Sequence, residues 1–182
     1  MPFGYYDRLS KQQQAVYRQS DSVASIHLPG EADLKPVVAE LAELLKGGDL
    51  AAVERIAQRV CDGVCDALSV EPVEVDVLEV RPSSATHELH GLYTPEEGPR
   101  PRIRVWMRTA KHARVVAHRT FVRTLVHELC HHLDYALLEL EESFHTDGFF
   151  KRESSLCRQL LPPRAPRTGT PRPSSPSSSR RG

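Results

Sequence analysis

His127-Glu128-Leu129-Cys130-His131 combines the two residue types that metal-assisted hydrolysis needs. Residues four apart on a helix share a face, so both imidazoles can reach one divalent ion. The glutamate directly after the first histidine then stands where a general base would take a proton from a metal-activated water. Two histidines leave a catalytic zinc one protein ligand short. His145 is the candidate third ligand: a helix ending near residues 139–143 lets the chain reverse and bring it back. Glu153 is the alternative, a later glutamate on the following helix. Glu139, Glu141 and Glu142 read more simply as a solvated helix end. Imidazole donors in this pattern favour zinc, one ion per chain.

The rest of the motif helix divides by angle. Stepping about 100° per residue from His127 puts His131 at about 40°, Tyr135 at about 80° and Asp134 at about −20°. Val122, Val126, Leu129 and Leu133 gather at about 200–260°, so one side is built for packing and the other for polar chemistry. Asp134 is a candidate for holding the free N–H of a ligand histidine, and Tyr135 for stabilising an oxyanion. His132 falls off the metal face and reads as structural. Cys130 is a weak ligand candidate. His87, His90, His112 and His118 lack a helical partner spacing and read as surface or strand-edge residues.

The elements that must position these residues follow from periodicity. A short polar helix is expected over 10–19, anchored by Leu9, Val16 and Tyr17 and broken by Leu28-Pro29-Gly30. A second spans 34–46, with Pro36 in its first turn and Gly47-Gly48 ending it. A third, capped by Asp49, turns Leu50, Val53, Ile56, Val60, Val64 and Leu68 inward. Cys61 and Cys65, four apart on it, read as buried core thiols rather than a metal clip. The period then changes to two over 73–80, the mark of a half-exposed strand. Residues 89–93 and 102–107 complete a sheet of about three strands, separated by a Pro- and Gly-rich turn over 94–101. Helices over 119–140 and 149–161 finish an α+β fold. Residues 1–161 therefore form one domain, with a helical part over 1–70 and a catalytic core over 71–161.

The formal charge is zero, but 162–182 holds five arginines and no acid, leaving 1–161 at net −5. That excludes a basic nucleic-acid platform in the folded part, so any affinity for nucleic acid or an acidic partner falls to the tail. The tail is rich in Pro, Ser and Arg, and disorder is expected there. No apolar run is long enough to span a membrane, and the polar N-terminus lacks a signal peptide's apolar stretch. A soluble, cytoplasmic protein with reduced thiols at its four cysteines is the expectation.

His127-Glu128-Leu129-Cys130-His131 followed by His145-Thr146-Asp147-Gly148-Phe149 resembles the SprT-like zinc metallopeptidases of the zincin group. In that family HExxH is followed by a third histidine with an aromatic residue four positions on, where Phe149 stands. Gly91-Leu92-Tyr93 and Ile103-Arg104-Val105 resemble the paired strands before its active-site helix. The family's usual glycine after the third histidine is here Thr146, and residues 1–70 have no counterpart in it. The resemblance implies a zincin-like fold with His127, His131 and His145 as zinc ligands and Glu128 as base. It also implies a peptide or protein substrate added as a strand near Gly91 and Tyr93 or near Ile103 and Val105. The opposing expectation is a metal-stabilised binding module without catalysis.

Overall fold

In the computed structural model, which describes residues 3–30, 32–82, 89–96 and 98–163, helices and strands segregate along the chain. Three helices come first: α1 (Lys11–Ser22), α2 (Lys35–Gly47) and α3 (Leu50–Leu68). Three strands follow, β1 (Glu74–Val80), β2 (Gly91–Thr94) and β3 (Arg102–Arg108), then α4 (His118–Ala136) and α5 (Asp147–Leu160). The architecture is mixed α+β. His87 and residues 164–182 lie outside the described residues, and with them the expectations placed there. No helix among the described residues is long and apolar enough to cross a membrane.

Local chemistry sets the boundaries. Ser10 and Gln13 form a capping box at the start of α1: Ser10 Oγ accepts from Gln13 N at 3.2 Å, and Gln13 Oε1 accepts from Ser10 N at 3.0 Å. α1 runs to Ser22, beyond the expected end at 19. α2 stops at Gly48, whose φ of +73° suits a residue without Cβ. Asp49 caps α3 by accepting from Ala52 N at 3.0 Å.

The sheet order is β1-β3-β2, with β1 parallel and β2 antiparallel to β3. β3 is thus the central strand, and this corrects one expectation. Ile103 and Val105 are fully buried core residues, and neither edge of β3 is open to a substrate strand. Beyond β2, its remaining edge is met by Val115 and Val116, with Val116 N donating to Met107 O at 2.8 Å. The outer edge of β1 is closed by side chains of α3. Val75 N donates to Gln58 Oε1 at 2.8 Å, Gln58 Nε2 to Val73 O at 2.9 Å, and Val77 N to Glu54 Oε2 at 2.9 Å. Side chains that occupy edge groups block strand addition. β2 alone turns an outer edge toward α4.

α3 packs on β1, α2 on α3, α4 on β2 and β3, and α5 on α4. The apolar side of α4 behaves as its periodicity demands: Val122, Val126, Leu129 and Leu133 are all fully buried. α4 is one turn shorter than expected. Glu139 takes a left-handed conformation (φ +51°), and Leu140 N donates back to Asp134 O at 2.9 Å while its side chain is buried. α5 begins two residues early because Thr146 caps it, its Oγ1 accepting from Phe149 N at 2.9 Å.

Candidate metal centre

One turn of α4 brings His127 and His131 together, and the loop before α5 returns His145 to them. His145 Nε2 lies 3.0 Å from His127 Nε2 and 3.1 Å from His131 Nε2. A tetrahedral ion with Zn–N bonds of about 2.0–2.1 Å needs its nitrogens about 3.3 Å apart, so the observed set lies within a few tenths of that geometry. Among the described residues these three form the group whose donor atoms converge in this way.

The outer nitrogens decide what the inner ones present. His127 Nδ1 is 3.1 Å from Glu153 Oε2. A carboxylate only accepts, so Nδ1 carries the hydrogen and Nε2 holds a lone pair. Ser143 Oγ donates to Asp134 Oδ2 at 2.7 Å, which leaves its oxygen to accept from His131 Nδ1, also at 2.7 Å. His131 Nε2 is therefore a lone pair as well. Both lone pairs are directed at His145 Nε2, where either its N–H or a cation shared by the three nitrogens can meet them. Burial, followed by the nearby His127 and His145, pushes His131 down to about 3, and burial lowers His145 too. Neutral imidazoles are the form that ligates.

Phe149 lies beneath the cluster, its ring centroid 5.1 Å from His127, 4.7 Å from His131 and 5.1 Å from His145. This apolar floor is fully buried. Glu128 stands on the cleft side, only 6% exposed, and burial pushes its carboxyl up to about 7 against the opposing pull of His127 and the Tyr93 backbone N–H. That N–H donor comes from β2. Gly91 allows the approach: a Cβ there would sit 2.7 Å from Glu128 Cγ and 2.8 Å from its Cδ.

Two recesses meet at this point. One, of about 370 Å³, is bordered by Tyr93, His131, Tyr135 and His145; the other, of about 560 Å³, by His90, Arg123, Thr124 and Glu153. Gly91, His127 and Glu128 line both, so a groove passes Glu128 on either side. The chemistry available is a three-nitrogen cation site beside a carboxylate, in a groove along a strand edge.

The remaining candidates fall as follows. Tyr135 borders the groove and stacks on Tyr93 with ring centroids 5.9 Å apart. Asp134 does not touch a histidine; it acts one residue removed, through Ser143. Glu153 grips the far nitrogen of His127 and accepts from Arg123 Nη2 at 3.1 Å. Such carboxylate–histidine contacts orient metal ligands. His132 bonds Glu71 O at 2.8 Å, His118 bonds Val38 O at 2.8 Å, and Cys130 is buried in the core.

Sequence reasoning missed Ser143 and Arg152. Arg152 is fully buried and every N–H is used: Nε and Nη2 reach Asp134 Oδ1 at 3.0 and 2.7 Å, Nη2 also reaches Ser20 Oγ at 2.8 Å, and Nη1 reaches Ser20 O and Val23 O at 2.8 and 3.0 Å. A signal was present. Phe149, Arg152, Glu153, Leu156, Cys157 and Leu160 share the inward stripe of α5, and charges inside such a stripe mark a buried network. Ser143, in a loop, leaves no periodic trace.

No family model, curated protein or solved structure matches this chain.

Proposed function

We propose that this chain is a zinc-dependent peptidase of the zincin type, allied to the SprT-like enzymes. One juxtaposition carries the reading: Glu128 and the three-histidine cluster border the same groove as the outer edge of β2. A structural metal site gains nothing from a carboxylate base or an adjoining groove. When bound, zinc would supply Lewis acidity toward a carbonyl oxygen and lower the pKa of a water toward neutrality.

The chain's own residues supply the rest. The outward backbone at Gly91, beside the Tyr93 N–H that Glu128 takes, is offered to an extended peptide, and the two recesses accept residues on either side of the scissile bond. The Tyr93 N–H orients the Glu128 carboxylate. Glu128 takes a proton from the attacking water and delivers it to the departing amine nitrogen. Tyr135, which borders the groove, would donate to the oxygen on which charge develops.

Replacing Glu128 by Gln keeps the shape and removes the base. Hydrolysis of an unfolded protein substrate should fall by about 10²–10⁴-fold, while elemental analysis still finds about one zinc per chain. Wild-type rates in Glu128→Gln, or a metal-free wild type after zinc loading, would refute the proposal.

A further inference from the structure

His127 and His131 ride on a helix, but His145 belongs to no helix or strand; it sits in the connection between α4 and α5. A loop ligand keeps its place only if something outside the loop holds it. Here the holding contacts come from the far end of the chain. Tyr5 Oη donates to His145 O at 3.1 Å. Gln12 Nε2 donates to Glu141 Oε2 at 2.6 Å, and Gln13 Nε2 to both carboxylate oxygens of Glu142 at 3.0 and 3.2 Å. Tyr17 packs on Phe144 with ring centroids 6.0 Å apart, and Ser20 Oγ lies 3.4 Å from Thr146 Oγ1. Asp21 Oδ1 accepts from Gly148 N at 2.9 Å, where a Cβ would come within 2.6 Å of Ser20 O.

We infer that residues 5–23 form a clasp that positions His145, with Tyr5, Gln12 and Gln13 as positioning residues for the metal site. The inference rests on the zinc-site reading above. Without the clasp, the loop populates arrangements in which His145 is away from the other two nitrogens, and apparent zinc affinity falls in proportion to the competent fraction. Gln13 has two tasks, since its Oε1 closes the capping box and its Nε2 holds Glu142. Glutamate at that position keeps the box and turns the second contact into repulsion, which separates positioning from helix stability.

The test compares zinc affinity, by competition with a chromophoric chelator, in wild type, Q12E/Q13E and the swap Q12E/Q13E/E141Q/E142Q. Q12E/Q13E should bind zinc about three- to tenfold more weakly, the scale of a few exposed contacts, and the swap should return to within about twofold of wild type. Tyr5→Phe, which loses one hydroxyl, should weaken binding by about twofold. Cobalt-loaded Q12E/Q13E should also show weaker visible absorption than wild type, as a four-coordinate site loses its third histidine. Wild-type affinity in both Q12E/Q13E and Tyr5→Phe, or a swap that restores nothing, overturns the clasp while leaving the zinc site intact. A wild type that binds no zinc fails the site reading itself, before any variant is compared, and the clasp falls with it.

Discussion

Two regions of this molecule bury their residues by opposite means. In α2 and α3, every buried residue is apolar, from Val38 and Leu41 to Val64 and Cys65. In the corner formed by α1, α4 and α5, the buried set includes Ser20, Glu128, His132, Asp134, Thr146, Arg152 and Glu153. Apolar contacts are non-directional and tolerate adjustment, so the first half supplies stability without defining positions. Buried hydrogen-bonded charges gain little net stability against apolar replacements, yet each fixes the orientation of its partner. The difference teaches that the site is held by a directional network resting on a non-directional base.

Breaking the network at its centre should have the largest effect. Arg152→Met leaves Asp134 buried and unpaired, which costs about 3–5 kcal/mol in urea unfolding. Adding Asp134→Leu should recover most of that stability but not the zinc affinity, because Ser143 then loses its acceptor. If the double variant regained both, the network would be only a packing device.

In the apolar half, Leu41→Ala should cost about 3 kcal/mol by cavity formation. Zinc affinity and hydrolysis, measured well below the unfolding midpoint, should stay at wild-type values. A drop in affinity matching the loss of stability would erase the division between the halves.

The smallest effect is expected at alkaline pH. Burial pushes the Cys65 thiol up to about 12, whereas an unfolded thiol titrates near about 8.5. The folded value is raised, so the stability it contributes is complete below the unfolded value and is lost as pH rises toward the folded one. Through Cys65 alone, unfolding free energy should fall by about 2 kcal/mol between pH 8 and 10. Cys65→Ala should remove that share of the slope and leave the shares of the buried Cys61, Cys130 and Cys157 thiols, and an unchanged slope would assign the loss to other groups.

Local periodicity carried much of the fold. The helices, the three strands and the two-faced character of α4 were legible because each depends on residues a few positions apart. The histidine cluster was partly legible for the same reason: His127 and His131 share a helix face, and His145 lies within chain reach. The position of β3 was not. Its alternation of Ile103 and Val105 looks the same at an edge or at the centre, and only pairing with β1 and β2 makes it central. Glu153 was weighed as a ligand because its residue type permits it. Whether a carboxylate meets the ion or the far nitrogen of a histidine depends on where α5 docks on α4.

By itself, then, the sequence determined the motif helix, its polar face and the supply of nitrogen and carboxylate groups upon it, since helical geometry is a property of neighbours along the chain. Tertiary structure decided the tautomers of His127 and His131, the hold of Tyr5, Gln12 and Gln13 on the His145 loop, and the approach of Gly91 to Glu128. Those contacts join segments far apart in sequence, up to 140 positions in the case of Tyr5 and His145. No local period encodes such distances; they exist only after the helices and sheet have packed.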